Sequence, residues 1–244
     1  MGFNIIGHRG VPDSFPENSM KSFQQAKNCG LYGIELDVQI TKDSKIVVFH
    51  DSILKRVTGA EGSVSDYSYS EISKLNLLES DQKIPLLGDV LKKFQDLKIF
   101  IELKTRDEFG NRINEGLETA LHNILQNFSK ENLILISFDV VAIREMKEMN
   151  LNYRTGLDIG EETRIMLDSM LKSKVPGFID CILPQFSLLS YPEYSELNRL
   201  GKKIIPWTIN DKKELNVLRT MNIDTFLSDR GCDLLREIEE NGSL

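Results

Sequence analysis

The chain holds only three histidines, and two of them stand directly after short apolar runs: His8 follows FNIIG and His50 follows KIVVF. Neutral imidazole takes a proton and imidazolium returns one near neutral pH, so this pair suits a reaction that needs both an acid and a base. In GIELDVQI, side chains that alternate along a strand put Glu35 and Asp37 on one face and Ile34, Leu36 and Val38 on the other. The same parity in IFIELK sets Glu102 and Lys104 against Ile99, Ile101 and Leu103. Three converging carboxylates repel one another unless protonated or neutralised, and oxygen donors suit a hard divalent ion, Mg²⁺ or Ca²⁺. One inward acid alone would read as the partner of an Arg or Lys; three together favour a metal. Arg9 offers a planar fork of donors and Lys104 a compact charge, both suited to phosphate oxygens. Trp207, in IIPWTIN, is placed to wall a substrate pocket, with core packing an equally good account of it. His122 lies in a helical stretch beside Leu121, Asn123 and Ile124 and reads as structural.

These side chains need a scaffold that brings strand ends together. Apolar β-branched runs begin at Phe3, Gly33, Lys98, Asn132, Asn152, Phe178, Lys203 and Asp224, separated by longer stretches of helical period. Eight such units predict an α/β fold, a (β/α)₈ TIM barrel, whose active site is built at the C-terminal ends of its strands. Leu87, Val90, Leu91 and Phe94 form one covering stripe, and Ile113, Leu117, Leu121 and Ile124 another. After the second strand, ITKDSKIVVFHD reads as a hairpin turning near Lys42 and Asp43, which would bring His50 opposite Glu35. A polar segment from about 52 to 84, rich in Ser, Tyr and Gly, reads as a small lobe inserted into a single domain of residues 1–244.

Composition narrows the partners. A net charge of -7 argues against nucleic acid and anionic membrane surfaces, so an anionic substrate must be met by local cations. No run of about 18 apolar residues predicts a membrane span, and no basic, then apolar, N-terminal segment predicts a signal peptide. Cys29, Cys181 and Cys232 are odd in number and far apart, which predicts reduced thiols in a cytoplasmic protein. The lobe shows no amphipathic anchor, so stable membrane association is not expected.

GHRG (7–10), PENS (16–19), IELDVQITKD (34–43), VVFHD (47–51) and IELK (101–104), with weaker ISFD and PWTIN, together resemble the glycerophosphodiester phosphodiesterases. The resemblance spans most of the chain. It implies a barrel with an insertion after the second strand, a divalent metal on Glu35, Asp37 and Glu102, an acid–base pair in His8 and His50, and phosphate contacts from Arg9 and Lys104. It implies hydrolysis of glycerophosphodiesters to glycerol 3-phosphate and an alcohol. IPLLGD and SDRG depart from the family's usual Pro-Thr-Leu run and its proline after Ser/Thr-Asp. Glu17 and Asn18 either reach the site or begin the next helix. Of the rivals, a glycosidase leaves the histidines and cations unemployed. A binding-only barrel does not require both histidines and all three acids, and a lysophospholipase D would use the same residues on a lipid diester.

Overall fold

The computed structural model describes residues 2–191, 197 and 199–240. Eight parallel strands form the barrel: β1 (Asn4–Gly7), β2 (Gly33–Ile40), β4 (Lys98–Leu103), β5 (Leu133–Ser137), β6 (Arg154–Ile159), β7 (Cys181–Pro184), β8 (Lys203–Ile204) and β9 (Thr225–Ser228). Their order is β8-β7-β6-β5-β4-β2-β1-β9, with β3 (Ile46–Val48) antiparallel to β2. The seam between β8 and β9 is bridged by the chain that continues from β8, where Leu227 N–H donates to Pro206 and Ile209 N–H donates to Leu227. All eight expected strands form; the sixth of them, β7, starts at Cys181 rather than Phe178.

Outside the ring lie α1 (Met20–Asn28), α4 (Leu87–Lys93), α5 (Leu117–Leu125), α6 (Val140–Met149), α7 (Arg164–Lys172), α8 (Lys212–Thr220) and α9 (Gly231–Glu240). Leu87, Val90, Leu91 and Phe94 are buried, as their spacing requires. The second stripe is shorter than expected. Asn114 and Gly116 adopt positive φ, so α5 begins at Leu117 and Ile113 stays in the loop before it.

Strand parity divides the buried side chains into two cores. Ile6, Phe100, Ile134, Ile136, Cys181, Leu183, Ile205 and Leu227 fill the lumen, while the larger outer cluster packs strands against helices. Each fully buried aliphatic or aromatic side chain contributes about 1.5–3 kcal/mol. The lumen is therefore plugged with hydrocarbon, and polar chemistry is left to its C-terminal end.

The hairpin forms with one difference from expectation. Ser44 takes φ 59°, Thr41 N–H bonds Lys45 O, and the loop gains a residue. Val38 then pairs with Val48, a register that points His50 opposite Leu36 rather than Glu35. Residues 52–84 fold as short helical turns, including α2 (Lys55–Thr58) and α3 (Tyr69–Ile72), over a small core of their own. Leu54, Ile72 and Leu77 are buried there with Tyr67, Tyr69 and Leu75 packed against them, whereas Ile53 and Leu78 are exposed.

The cysteines correct the sequence reading. Cys29, capping α1, and Cys232, in the first turn of α9, form a disulfide across 203 residues of chain. Barrel closure makes the first and last helices neighbours, a proximity that spacing conceals. Cys181 alone is free, and burial in the lumen pushes its thiol up to about 12. The cysteine count therefore no longer argues for a reducing compartment. Among the described residues, no helix is long and apolar enough to cross a membrane.

Two glycines test this packing with opposite signs. A Cβ on Gly33 would sit 2.4 Å from the Lys98 carbonyl oxygen across the β2–β4 ladder, whereas one on Gly88 in α4 meets nothing within 4 Å. Urea denaturation should show Gly33→Ala destabilised by roughly 1–3 kcal/mol. Gly88→Ala should be stabilised by roughly 0.4–1 kcal/mol. Equal effects in the two variants would contradict the strand packing.

Candidate active site

The turn after β1 aims His8 and Arg9 into the barrel mouth. Gly10 N–H bonds Gly7 O, Arg9 has φ 54° and Gly10 φ 89°. A Cβ on Gly7 would lie 2.2 Å from the Gly10 carbonyl oxygen, so this tight path needs glycine there. In it, the Arg9 amide donates to Glu35 Oε2 at 2.9 Å.

Glu35 and Asp37 on β2 and Glu102 on β4 all face inward, as their parity requires, and Asp37 stands in register with Glu102. Each offers an oxygen within 4.8 Å of the others. Asn18 holds Asp37 from both sides, donating Nδ2 to Oδ2 at 2.7 Å and accepting from the Asp37 amide at 3.3 Å. Lys104 Nζ donates to Glu102 Oε1 at 3.0 Å and lies 3.8 Å from Asp37. Arg9 lies 3.6 Å from Asp37 through Nε and bonds Glu17 at 3.0 Å. Even so, Glu35 Oε1 and Asp37 Oδ1 are buried with no hydrogen-bond partner among the described residues.

Electrostatics divides the trio unevenly. Burial, then the charges of Asp37 and Glu102, raise Glu35 well above the usual carboxylate range. Burial also raises Glu102, against the attraction of Lys104. For Asp37 burial acts upward too, but His50, Arg9, Lys104 and the Asn18 bond together hold it well below that range. Three full negative charges do not fit here without a further cation. The residues present suit a divalent ion: all-oxygen donors, two of them without a partner.

Each histidine is backed by a carboxylate. His8 Nδ1 lies 2.7 Å from Asp229 Oδ1, and Asn210 fixes Asp229 through bonds at 2.9 and 3.0 Å. His50 Nδ1 lies 2.9 Å from Asp51 Oδ1. Arg56 of the lobe donates to both Asp51 and Glu17, so the cation among Glu17, His50 and Asp51 is Arg56 itself. Gln39, buried on β2, donates to the carbonyls of Phe49, His50 and Asp51 and so sets the loop that carries the second histidine. With Nδ1 engaged, both rings keep Nε2 for the cavity that they line.

That inner cavity, of about 70 Å³, is bounded by His8, Arg9, Glu35, His50, Glu102, Asp158, Phe138 and Trp207. An outer groove of about 660 Å³ adjoins it through His50, Glu102 and Phe138, walled by the lobe, the loop after β4, and Glu162 and Thr163. Trp207 donates from its indole to Leu183 O at 2.8 Å and meets Phe138 edge to face, so it serves the wall and the packing together. His122 lies apart on α5, beside Tyr153 and Gln126.

Every expected site residue thus meets at one mouth, and His122, expected to be structural, lies apart from it. Glu17 and Asn18 belong to it as well, while Ser19 caps α1. Asp229, Asn210, Arg56 and Asp158 went unread from sequence. The available signal for Asp229 and Asp158 was position: the first directly follows a strand and the second has inward parity.

A family model described as the glycerophosphoryl diester phosphodiesterase family matches residues 8–231. The chain is 28% identical over 250 residues to the glycerophosphodiester phosphodiesterase of Caldanaerobacter subterraneus, covering 98% of each. It is 30% identical over 241 residues to that of Bacillus altitudinis, covering 92% of this chain and 94% of the other. The fold matches a phosphodiesterase of Oleispira antarctica, solved in complex with sn-glycerol-3-phosphate, with TM-score 0.81 and 22% identity over 97% of this chain and 96% of that one.

Removing one acid should reveal the crowding. Because Glu35 is raised in the folded chain, its contribution to stability is full below the ordinary range, about pH 4.3. That contribution is lost as pH rises through the folded value. In protein stripped of divalent ions, Glu35→Gln should melt roughly 2–8 °C above wild type near neutral pH. The advantage should vanish toward about pH 4. A variant less stable than wild type at every pH would refute the crowded-acid account.

Proposed function

We propose, for a chain that belongs to the glycerophosphoryl diester phosphodiesterase family and is a phosphoric diester hydrolase, that it cleaves glycerophosphodiesters to glycerol 3-phosphate and an alcohol. The observation that carries this reading is the pair of unpartnered buried oxygens, Glu35 Oε1 and Asp37 Oδ1, beneath two carboxylate-backed histidines. Glu35, Asp37 and Glu102 would hold Mg²⁺ or Ca²⁺, which supplies Lewis-acid polarisation of a phosphoryl oxygen when bound. Arg9, which lines the inner cavity, and Lys104, which lines the adjoining outer groove, bind the remaining phosphate oxygens. Trp207 and Phe138 exclude water and face the carbon part of the substrate.

One histidine takes the proton of the nucleophile, either water or the neighbouring glyceryl hydroxyl by way of a cyclic phosphate. A bond from that oxygen to phosphorus forms as the bond to the leaving alcohol breaks, and the second histidine protonates the leaving oxygen; in the cyclic route water then attacks the phosphorus, the ring P–O bond breaks and the two histidines exchange roles, giving glycerol 3-phosphate. Asp229 and Asp51 keep each imidazole in one tautomer and offset its positive charge when protonated. The inner cavity takes the glyceryl end and the outer groove takes the variable alcohol. We read residues 1–244 as one barrel domain with its lobe, the lobe supplying Arg56 to this site.

Hydrolysis of glycerophosphocholine should stop on chelation and return with Mg²⁺ or Ca²⁺. Full turnover in verified metal-free protein would defeat the metal assignment. His8→Ala and His50→Ala should each lower kcat by about 100-fold or more, with His122→Ala near wild type. Comparable small losses in all three would show that neither ring moves a proton.

The lobe buries Leu54, Val57, Val64, Ile72, Leu77 and Ile84, leaving Ile53 and Leu78 as its exposed large aliphatic side chains, too few for an amphipathic anchor. Glycerophosphocholine should therefore exceed lysophosphatidylcholine in kcat/KM below the micelle concentration. The reverse preference would make the enzyme a lysophospholipase D with the same chemistry.

A further inference from the structure

Asp158 is the acid of the mouth that the proposed chemistry does not use. It stands on β6 with the lumen parity of its neighbour Leu183, and is 3% exposed. Its Oδ2 has no hydrogen-bond partner among the described residues. It belongs to neither group of acids close enough to share an ion, so it is not a fourth oxygen of the Glu35, Asp37 and Glu102 cluster. Instead it lines the inner cavity with His8, Arg9, Phe138 and Trp207, on the strand opposite β1 in the ring.

Buried polar oxygens are nearly always partnered, and one that is not points to a missing partner. The cavity restricts what that partner is. An ionised Asp158 would repel a phosphate oxygen, and in the proposed reading Arg9 and Lys104 already meet those oxygens. A second cation is disfavoured by Arg9, which lines the same space, and by the charge of Lys104 nearby. A neutral hydroxyl suits it, because a carboxyl bonds a hydroxyl as acceptor when ionised and as donor or acceptor when protonated. Ile136, Leu227 and the rings of Phe138 and Trp207 leave apolar surface beside it for a short carbon chain.

We propose that Asp158 is a specificity residue that hydrogen-bonds the terminal hydroxyl of the glyceryl end of the substrate in the inner cavity. This rests on the phosphodiesterase reading above and adds to it a basis for selecting glycerol over other short alcohols. A site built around a hydroxyl rejects the analogue that lacks it, since the buried carboxyl is then desolvated without a partner.

The test is a binding cycle by calorimetry in Mg²⁺, with sn-glycerol 3-phosphate and propane-1,2-diol 1-phosphate, which lacks only that hydroxyl. Wild type should prefer glycerol phosphate by about tenfold or more. Asp158→Ala should erase the preference by weakening glycerol phosphate alone. Asp158→Asn, which keeps a donor and an acceptor, should retain most of it and guards against loss of fold in the alanine variant. Equal weakening of both ligands, no weakening of either, or a wild type that binds neither or does not discriminate overturns the inference. Turnover of glycerophosphocholine by wild type is measured alongside. Its absence with the binding cycle intact would remove the phosphodiesterase reading and leave the hydroxyl contact standing.

Discussion

Placing three carboxylates side by side in the mouth of a hydrocarbon-filled barrel sets the terms for the rest of the site. Like charges at this separation, sealed from water, cannot all ionise without compensation. The chain supplies compensation only in part. Asn18 and the charges around Asp37 stabilise that one carboxylate, Lys104 leans on Glu102, and Arg9 is shared between Asp37 and Glu17. Glu35 receives the Arg9 amide and little else, and its second oxygen is left without a bond. The cluster is thus incomplete as a purely structural ion-pair network. It is well suited to an ion that brings two positive charges at one point.

Around it, the same device appears twice. Each histidine is tied through Nδ1 to an aspartate, and each aspartate is tied in turn, Asp229 by Asn210 and Asp51 by Arg56. Rings held this way lose little freedom when substrate arrives. The lobe takes part through Arg56, which reaches back to Glu17 and links the insertion to the turn that carries His8 and Arg9. Its small core, centred on Leu54, Val57, Val64 and Ile72, is what keeps that arginine in reach.

Sequence revealed the parts of this arrangement that follow from local geometry. Alternation along a strand is a two-residue rule, so Glu35, Asp37, Glu102 and Lys104 could be assigned an inward face before any fold was known. The count of alternating units likewise anticipated the barrel. Contacts made by closure were not legible: His8 and Asp229 are 221 residues apart, and Cys29 and Cys232 are 203 apart, yet both pairs meet because β1 lies beside β9. The hairpin register failed for a local reason, the left-handed Ser44, which no residue type at that position announced. Asp158 had the right parity but no neighbour in sequence to mark it, and its meaning rests on what it does not touch.

The central claim is that the Glu35, Asp37 and Glu102 cluster is completed by a divalent ion. Diffraction from crystals grown with Mn²⁺, collected at the manganese absorption edge, tests it most directly. The account predicts an anomalous peak within coordination distance of oxygens from all three residues, with Lys104 and Arg9 beside it. Ordered, well-defined density for the three carboxylates with no peak between them, or a peak instead among Glu17, His50 and Asp51, would contradict it.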